Sequence, residues 1–254
     1  MTTRTIRMTA ALATTAALAV LAACIPPPPQ SPSPTTTSST SSTTSTTSTT
    51  TTAPAPPKHV MSIGHADVLE VAVAGNSVVL QIKDDSNIPE PGTVFRDPTE
   101  TVLHAKPGPG PTGSELAVPA SPAFSFLGDP GDPVWILPEV QNTNLLWPGL
   151  STERIAGGVL QGNQVQVHLD AVTGPGSFHL YNVSAFGAPV IRYTTDEPFP
   201  QTITTSNNTH AHYSWAFTAA GRHTLTFRAT ATLANGTQVT SGPVDYTFVV
   251  GELP

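Results

Sequence analysis

One cysteine, Cys24, stands in 254 residues. Its isolation excludes a disulfide framework, a thiolate metal cage and a cysteine nucleophile from everything that follows it. Basic residues are also scarce. From residue 58 onward, eight Lys and Arg face seventeen Asp and Glu, a balance of minus nine with histidine neutral. Such a charge argues against nucleic acid or anionic lipid as partners of this part of the chain. No GxSxG elbow, P-loop or HExxH occurs, so the familiar nucleophile, phosphate and zinc-protease signatures are missing. No long helical period is present after residue 58 either. These absences leave a β-rich, acidic chain for which no enzymatic activity is expected.

The N-terminus has its own character. Arg4 and Arg7 precede an apolar, alanine-rich run from Met8 to Ala23, too short and wrongly flanked for a membrane span, which reads as a signal peptide. Leu21-Ala22-Ala23-Cys24 resembles the bacterial lipobox, so Cys24 is the expected lipidation site and the membrane is a partner through that lipid. Residues 25–57 are almost wholly Pro, Ser and Thr. They cannot bury enough apolar surface to offset the entropy of ordering and are expected to form a disordered stalk. The expected organisation is thus a lipoprotein signal peptide over 1–23, a lipidated cysteine and stalk over 24–57, and a folded surface domain over 58–254. Its expected location is the outer face of the cell membrane, as a monomer.

Within the domain, strand signals dominate. Val68–Val73 and Val78–Lys83 flank Ala74-Gly75-Asn76-Ser77 and predict a hairpin. Gln164–Leu169 alternates apolar and polar residues, as does Thr224–Leu233, and Val244–Val250 closes the domain. Many short strands with turn signals between them predict an all-β antiparallel sandwich, immunoglobulin-like in its C-terminal part, with Trp215 in its core. Residues 97–150 are rich in Pro and Gly, and two readings stay open for them. They form either a functional loop layer or an apolar flap over one sheet, with Phe126, Trp135, Ile136, Leu146 and Trp147 as buried anchors.

Histidine carries the candidate chemistry. In Thr209–Phe217, THAHYSWAF, a period of two puts His210, His212, Ser214 and Ala216 on one face and Ala211, Tyr213, Trp215 and Phe217 on the other. The aromatic face is the core, so both imidazoles face away from it at a spacing suited to one metal ion. Two ligands are too few. His65 and Asp67 in GHAD show the same i, i+2 spacing and are the nearest complement. His59, His104, His168 and His223 read as structural residues, as do Ser177 and His179, which lack an orienting acid. The carboxylate pairs Asp84-Asp85 and Asp129/Asp132 read as solvated.

Four segments, IGHADVLEV, FLGDPGDPVWILPEVQNTNLLWPGL, VTGPGSFHLY and THAHYSWAFTAAGRHTLTFRATATLANGTQV, together resemble the actinobacterial surface-anchored domain of the choice-of-anchor M family. The resemblance spans most of residues 59–251. It implies a surface protein associated with a metal-type ABC transporter, and it covers His65, Asp67, His210 and His212. Metal ligation by those four residues, with zinc or manganese as the ion, follows from their chemistry rather than from the resemblance. A non-catalytic structural or adhesive module binding a protein or glycan is the alternative.

Overall fold

A computed structural model describes residues 58–254; the expected signal peptide, the expected lipidation site Cys24 and the expected stalk lie outside the described residues. The strands are β1 (His59–Met61), β2 (Gly64–Ala74), β3 (Ser77–Asp84), β4 (Val94–Arg96), β5 (Thr101–Ala105) and β6 (Glu115–Ala117). They continue as β7 (Pro133–Leu137), β8 (Leu146–Ser151), β9 (Leu160–Thr173), β10 (Phe178–Val183) and β11 (Pro189–Thr194). The last are β12 (Gln201–Ser206), β13 (His210–His212), β14 (Ser214–Phe217), β15 (Gly221–Leu233) and β16 (Gln238–Val250). Two short 3-10 turns, Pro98–Glu100 and Pro122–Leu127, are the only helical pieces among the described residues.

The strands form three mostly antiparallel sheets, none closed. One has the order β1-β5-β16-β15-β9-β12, the second β11-β10-β14-β7-β6, and the third β13-β8-β2-β3-β4. The alternation in the sequence maps directly onto burial. Val165, Val167 and Leu169 of β9 and Leu225, Phe227 and Ala229 of β15 all point inward and are wholly buried. A single apolar cluster draws residues from all three sheets, including Val71, Leu150, Phe178, Trp215, Phe227 and Phe248. Trp215 packs on Phe248 at 5.3 Å between ring centroids and on Phe227 at 6.2 Å. Large aromatic surfaces of this kind dominate the burial energy of a sandwich core.

Two features differ from the sequence reading. His210–Phe217 is not one strand: β13 pairs with β8 in the third sheet, while β14 pairs with β7 and β10 in the second. Tyr213, buried, is the crossing point. The face of β14 opposite Trp215 is also covered, because Ala216 packs with Val118, Leu127, Val134 and Tyr181. The flap reading of residues 97–150 therefore holds for the turn Pro122–Leu127. The same segment also supplies β5, β6, β7 and β8, and of its five expected anchors only Leu146 is fully buried.

Candidate metal centre

The third sheet brings the two histidine motifs together by placing β8 between them. His210 and His212 of β13 lie opposite Ser151 and Gly149, and on the other side His65 of β2 lies opposite Trp147. The β2–β8 pairing is parallel and slips between Ala66 and Leu69. A bulge of this kind re-aims side chains, and here it accompanies the turning of Asp67 into the cluster. At the head of β2, Gly64 has φ of +90°, and an added Cβ would sit 2.5 Å from the Cβ of Ser86. Only glycine fits that entrance to GHAD.

The four residues expected from the sequence converge. Each of His65, Asp67, His210 and His212 offers one ligand atom, all within 4.8 Å of one another. His210 Nε2 is 3.3 Å from His65 Nε2 and 3.1 Å from His212 Nε2. Asp67 Oδ1 is 3.1 Å from His210 Nε2 and 3.6 Å from His65 Nε2. Four ligands placed tetrahedrally around zinc at ordinary bond lengths stand about 3.3 Å apart. These four separations, from 3.1 to 3.6 Å, bracket that value.

Hydrogen bonding alone leaves this cluster poorly satisfied. Asp67 is wholly buried, and its Oδ1 accepts no well-formed hydrogen bond despite the nearby imidazoles. His210 Nε2 faces two other ring nitrogens and a carboxylate oxygen, and one proton can serve only one of them. A cation at the centre serves all four.

The ring atoms turned outward complete the arrangement. His212 Nδ1 donates to the Pro148 carbonyl at 3.1 Å. His65 Nδ1 faces Asp85 Oδ2 at 3.5 Å, and His210 Nδ1 faces Glu153 Oε2 at 3.7 Å. An oxygen at each Nδ1 favours the tautomer that leaves Nε2 as a lone-pair donor, the usual setting of a metal-bound imidazole. Lys83 Nζ then joins the carboxylates, at 3.2 Å from Asp67 Oδ2, 3.2 Å from Asp85 Oδ2 and 3.4 Å from Glu153 Oε2.

Protonation follows from these neighbours. Burial alone would raise the Asp67 pKa, but His65, His210 and Lys83 overcome it and hold the carboxyl below its ordinary value. Burial, reinforced by His65 and His210, pushes His212 down to about 4. Burial would lower the pKa of Lys83, yet Asp67 and Asp85 raise it, so its ammonium stays charged. Glu70 sits on the same strand, wholly buried, with neither carboxylate oxygen hydrogen-bonded. Its pKa is pushed up to about 7 by burial, with Asp67 adding to the shift.

No family model matches the chain, and none of the curated proteins compared with it matches. The reading of the site accordingly rests on its geometry.

The remaining sequence candidates are placed as follows. His104 bonds Ser62 and the Gly251 carbonyl, His168 sits between Thr202 and Thr230, and His223 donates to the Ala219 carbonyl. His59 meets Arg96. His179 bonds Thr194, and the Ser177 amide donates to the Thr218 hydroxyl. Asp132 Oδ2 caps its own turn by accepting from the Asp129 amide. Asp84 and Asp85 are not simply solvated: Asp84 is buried against Arg96 at 2.6 Å, and Asp85 faces His65 of the histidine cluster at 3.5 Å. Lys83, Trp147, Gly149 and Glu153 were not expected at the site. The signal for the first lay in the predicted hairpin, which pairs Lys83 of β3 with Asp67 of β2.

Proposed function

We propose that this protein binds one divalent transition-metal ion, zinc or manganese, through His65, Asp67, His210 and His212. The convergence of three imidazole Nε2 atoms on an unbonded, buried carboxylate oxygen carries that reading. Charge supports a divalent ion. Asp67, Asp85 and Glu153 against Lys83 leave a local balance of minus two. A ligand set of three imidazoles and one carboxylate suits zinc better than manganese, which favours oxygen donors. His210 is 35% exposed at its side chain, so the ion is reachable from solvent on the β13 side. A reachable site fits capture and release rather than a purely structural role.

The lipobox at Cys24 and the stalk support an extracytoplasmic protein held at the outer face of the membrane. The family resemblance supports service to a metal ABC transporter. The test is metal content and calorimetry on protein purified without a histidine tag. The wild type binds one equivalent, and the paired change His210→Ala with His212→Ala abolishes binding while the fold persists. A wild type that takes up no zinc or manganese sinks the proposal and favours the adhesive module.

A further inference from the structure

We propose that Lys83 sets the metal selectivity of this site by holding Asp67 to a single ligand oxygen, so that the centre takes a four-coordinate zinc ion and rejects manganese. This rests on the metal-binding reading above and goes beyond it to the choice of ion.

The two carboxylate oxygens of Asp67 have separate duties. Oδ1 faces the imidazoles, at 3.1 Å from His210 Nε2. Oδ2 is held by Lys83 Nζ at 3.2 Å. A carboxylate engaged in this way cannot turn its second oxygen toward the ion without giving up its contact with that ammonium. Backbone closes another side, because a Cβ added to Gly149 would lie only 2.5 Å from Oδ1. The carboxylate is thus gripped by an ammonium and a tightly apposed strand.

Lys83 also reaches beyond Asp67. The oxygen atoms it holds, Asp85 Oδ2 and Glu153 Oε2, are the same ones that face His65 Nδ1 and His210 Nδ1. One ammonium therefore holds Asp67 directly and also fixes the carboxylates that stand beside His65, at 3.5 Å, and beside His210, at 3.7 Å. A site fixed at three nitrogens and one oxygen matches the tetrahedral preference of zinc. Manganese favours octahedral, oxygen-rich coordination, and Oδ2 of Asp67, on a carboxylate that already offers Oδ1, could enlarge the set. Lys83 withholds it.

A simple charge effect makes the opposite forecast. Deleting a positive charge beside a cation site strengthens binding of every divalent ion together. Loss of positioning instead lowers zinc relative to manganese.

The experiment uses the full chain in detergent, free of a histidine tag, with Zn2+, Mn2+ and Co2+ as probes and circular dichroism as a check on folding. Wild type is expected to prefer zinc and to give the strong visible absorption of four-coordinate Co2+. Lys83→Met is expected to shrink the zinc-over-manganese preference by about tenfold or more and to weaken the Co2+ bands as coordination rises above four. Lys83→Arg, which keeps a cationic donor for Oδ2, preserves both. An unchanged preference and Co2+ spectrum in Lys83→Met, or equal shifts for both ions, overturns the role of Lys83 and leaves the metal site standing. A wild type that binds none of the three ions overturns the site itself.

Discussion

The indole of Trp147 lies flat on the imidazole of His212, with ring centroids 3.7 Å apart and planes within 9° of parallel. The indole N–H is anchored on the Glu139 carbonyl at 2.9 Å, so the stack has a fixed platform. It shields one face of the imidazole from water and restricts its rotation. A ligand held in its working orientation loses less entropy when the ion arrives.

That contact makes Trp147 a reporter. Of the three tryptophans, it alone stacks on one of the four ligand residues. Zinc titration is expected to change the intrinsic fluorescence with the stoichiometry found by calorimetry. Trp147→Phe should remove most of the signal while Trp135→Phe leaves it. A change that survives Trp147→Phe would place the ion elsewhere.

Acid sensitivity follows from the same stack. His212 has its pKa lowered to about 4, first by burial and then by His65 and His210. An unfolded histidine titrates near 6.5, so the metal-free fold loses this contribution as pH falls from about 6.5 toward 4. At His212 itself, protons compete with the ion only near the lower end of that range. Trp147→Ala admits water to the ring and should raise its pKa. The pH at which half the bound zinc is lost, followed by a chelator dye, is then expected to move upward. A downward movement would contradict the assignment of burial as the cause.

Glu70 gives the opposite sign. Its carboxyl is raised to about 7 by burial, above the ordinary glutamate value of about 4.3. Between these values the folded chain binds the extra proton, so the stability contributed by Glu70 is present in acid and is lost as pH rises through about 7. Glu70→Gln should stabilise the metal-free protein at pH 8 by on the order of 2 kcal/mol and change it little at pH 5. Urea unfolding at the two pH values measures the difference. Equal effects at both would show that Glu70 does not titrate in this way.

Gly149 is expected to tolerate no side chain. An added Cβ would meet Asp67 Oδ1 at 2.5 Å and His212 Cε1 at 2.9 Å. Both belong to the proposed ligand set, from strands on opposite sides of β8. Gly149→Ala should weaken zinc binding by about tenfold or more while far-ultraviolet circular dichroism stays unchanged. Retained affinity would mean that the centre is softer than its spacing indicates.

Much of this site was legible in the sequence because strand periodicity is strict. The i, i+2 spacing of His65 and Asp67, and of His210 and His212, allowed each pair a common face. The hairpin of β2 and β3 and the alternation of β15 were equally open to reading. What periodicity could not supply was adjacency across the sheet. β8 lies in a Pro- and Gly-rich stretch whose turns mask its strand character, so Trp147 and Gly149 remained hidden. The bulge after Ala66 is a matter of register, which depends on a partner strand. Lys83 and Glu153 are 70 residues apart and meet only through folding. The break at Tyr213 was missed because a change of sheet leaves the alternation of residues unaltered.

That break joins two inheritances. His212, Tyr213 and Ser214 are consecutive, yet they pass from the sheet that carries the histidine cluster to the one that holds Trp215. An insertion or deletion of a single residue there would displace the ligands and the aromatic core in the same event. At this point the candidate ligands and the architecture are spelled by the same few codons and must be kept or lost together.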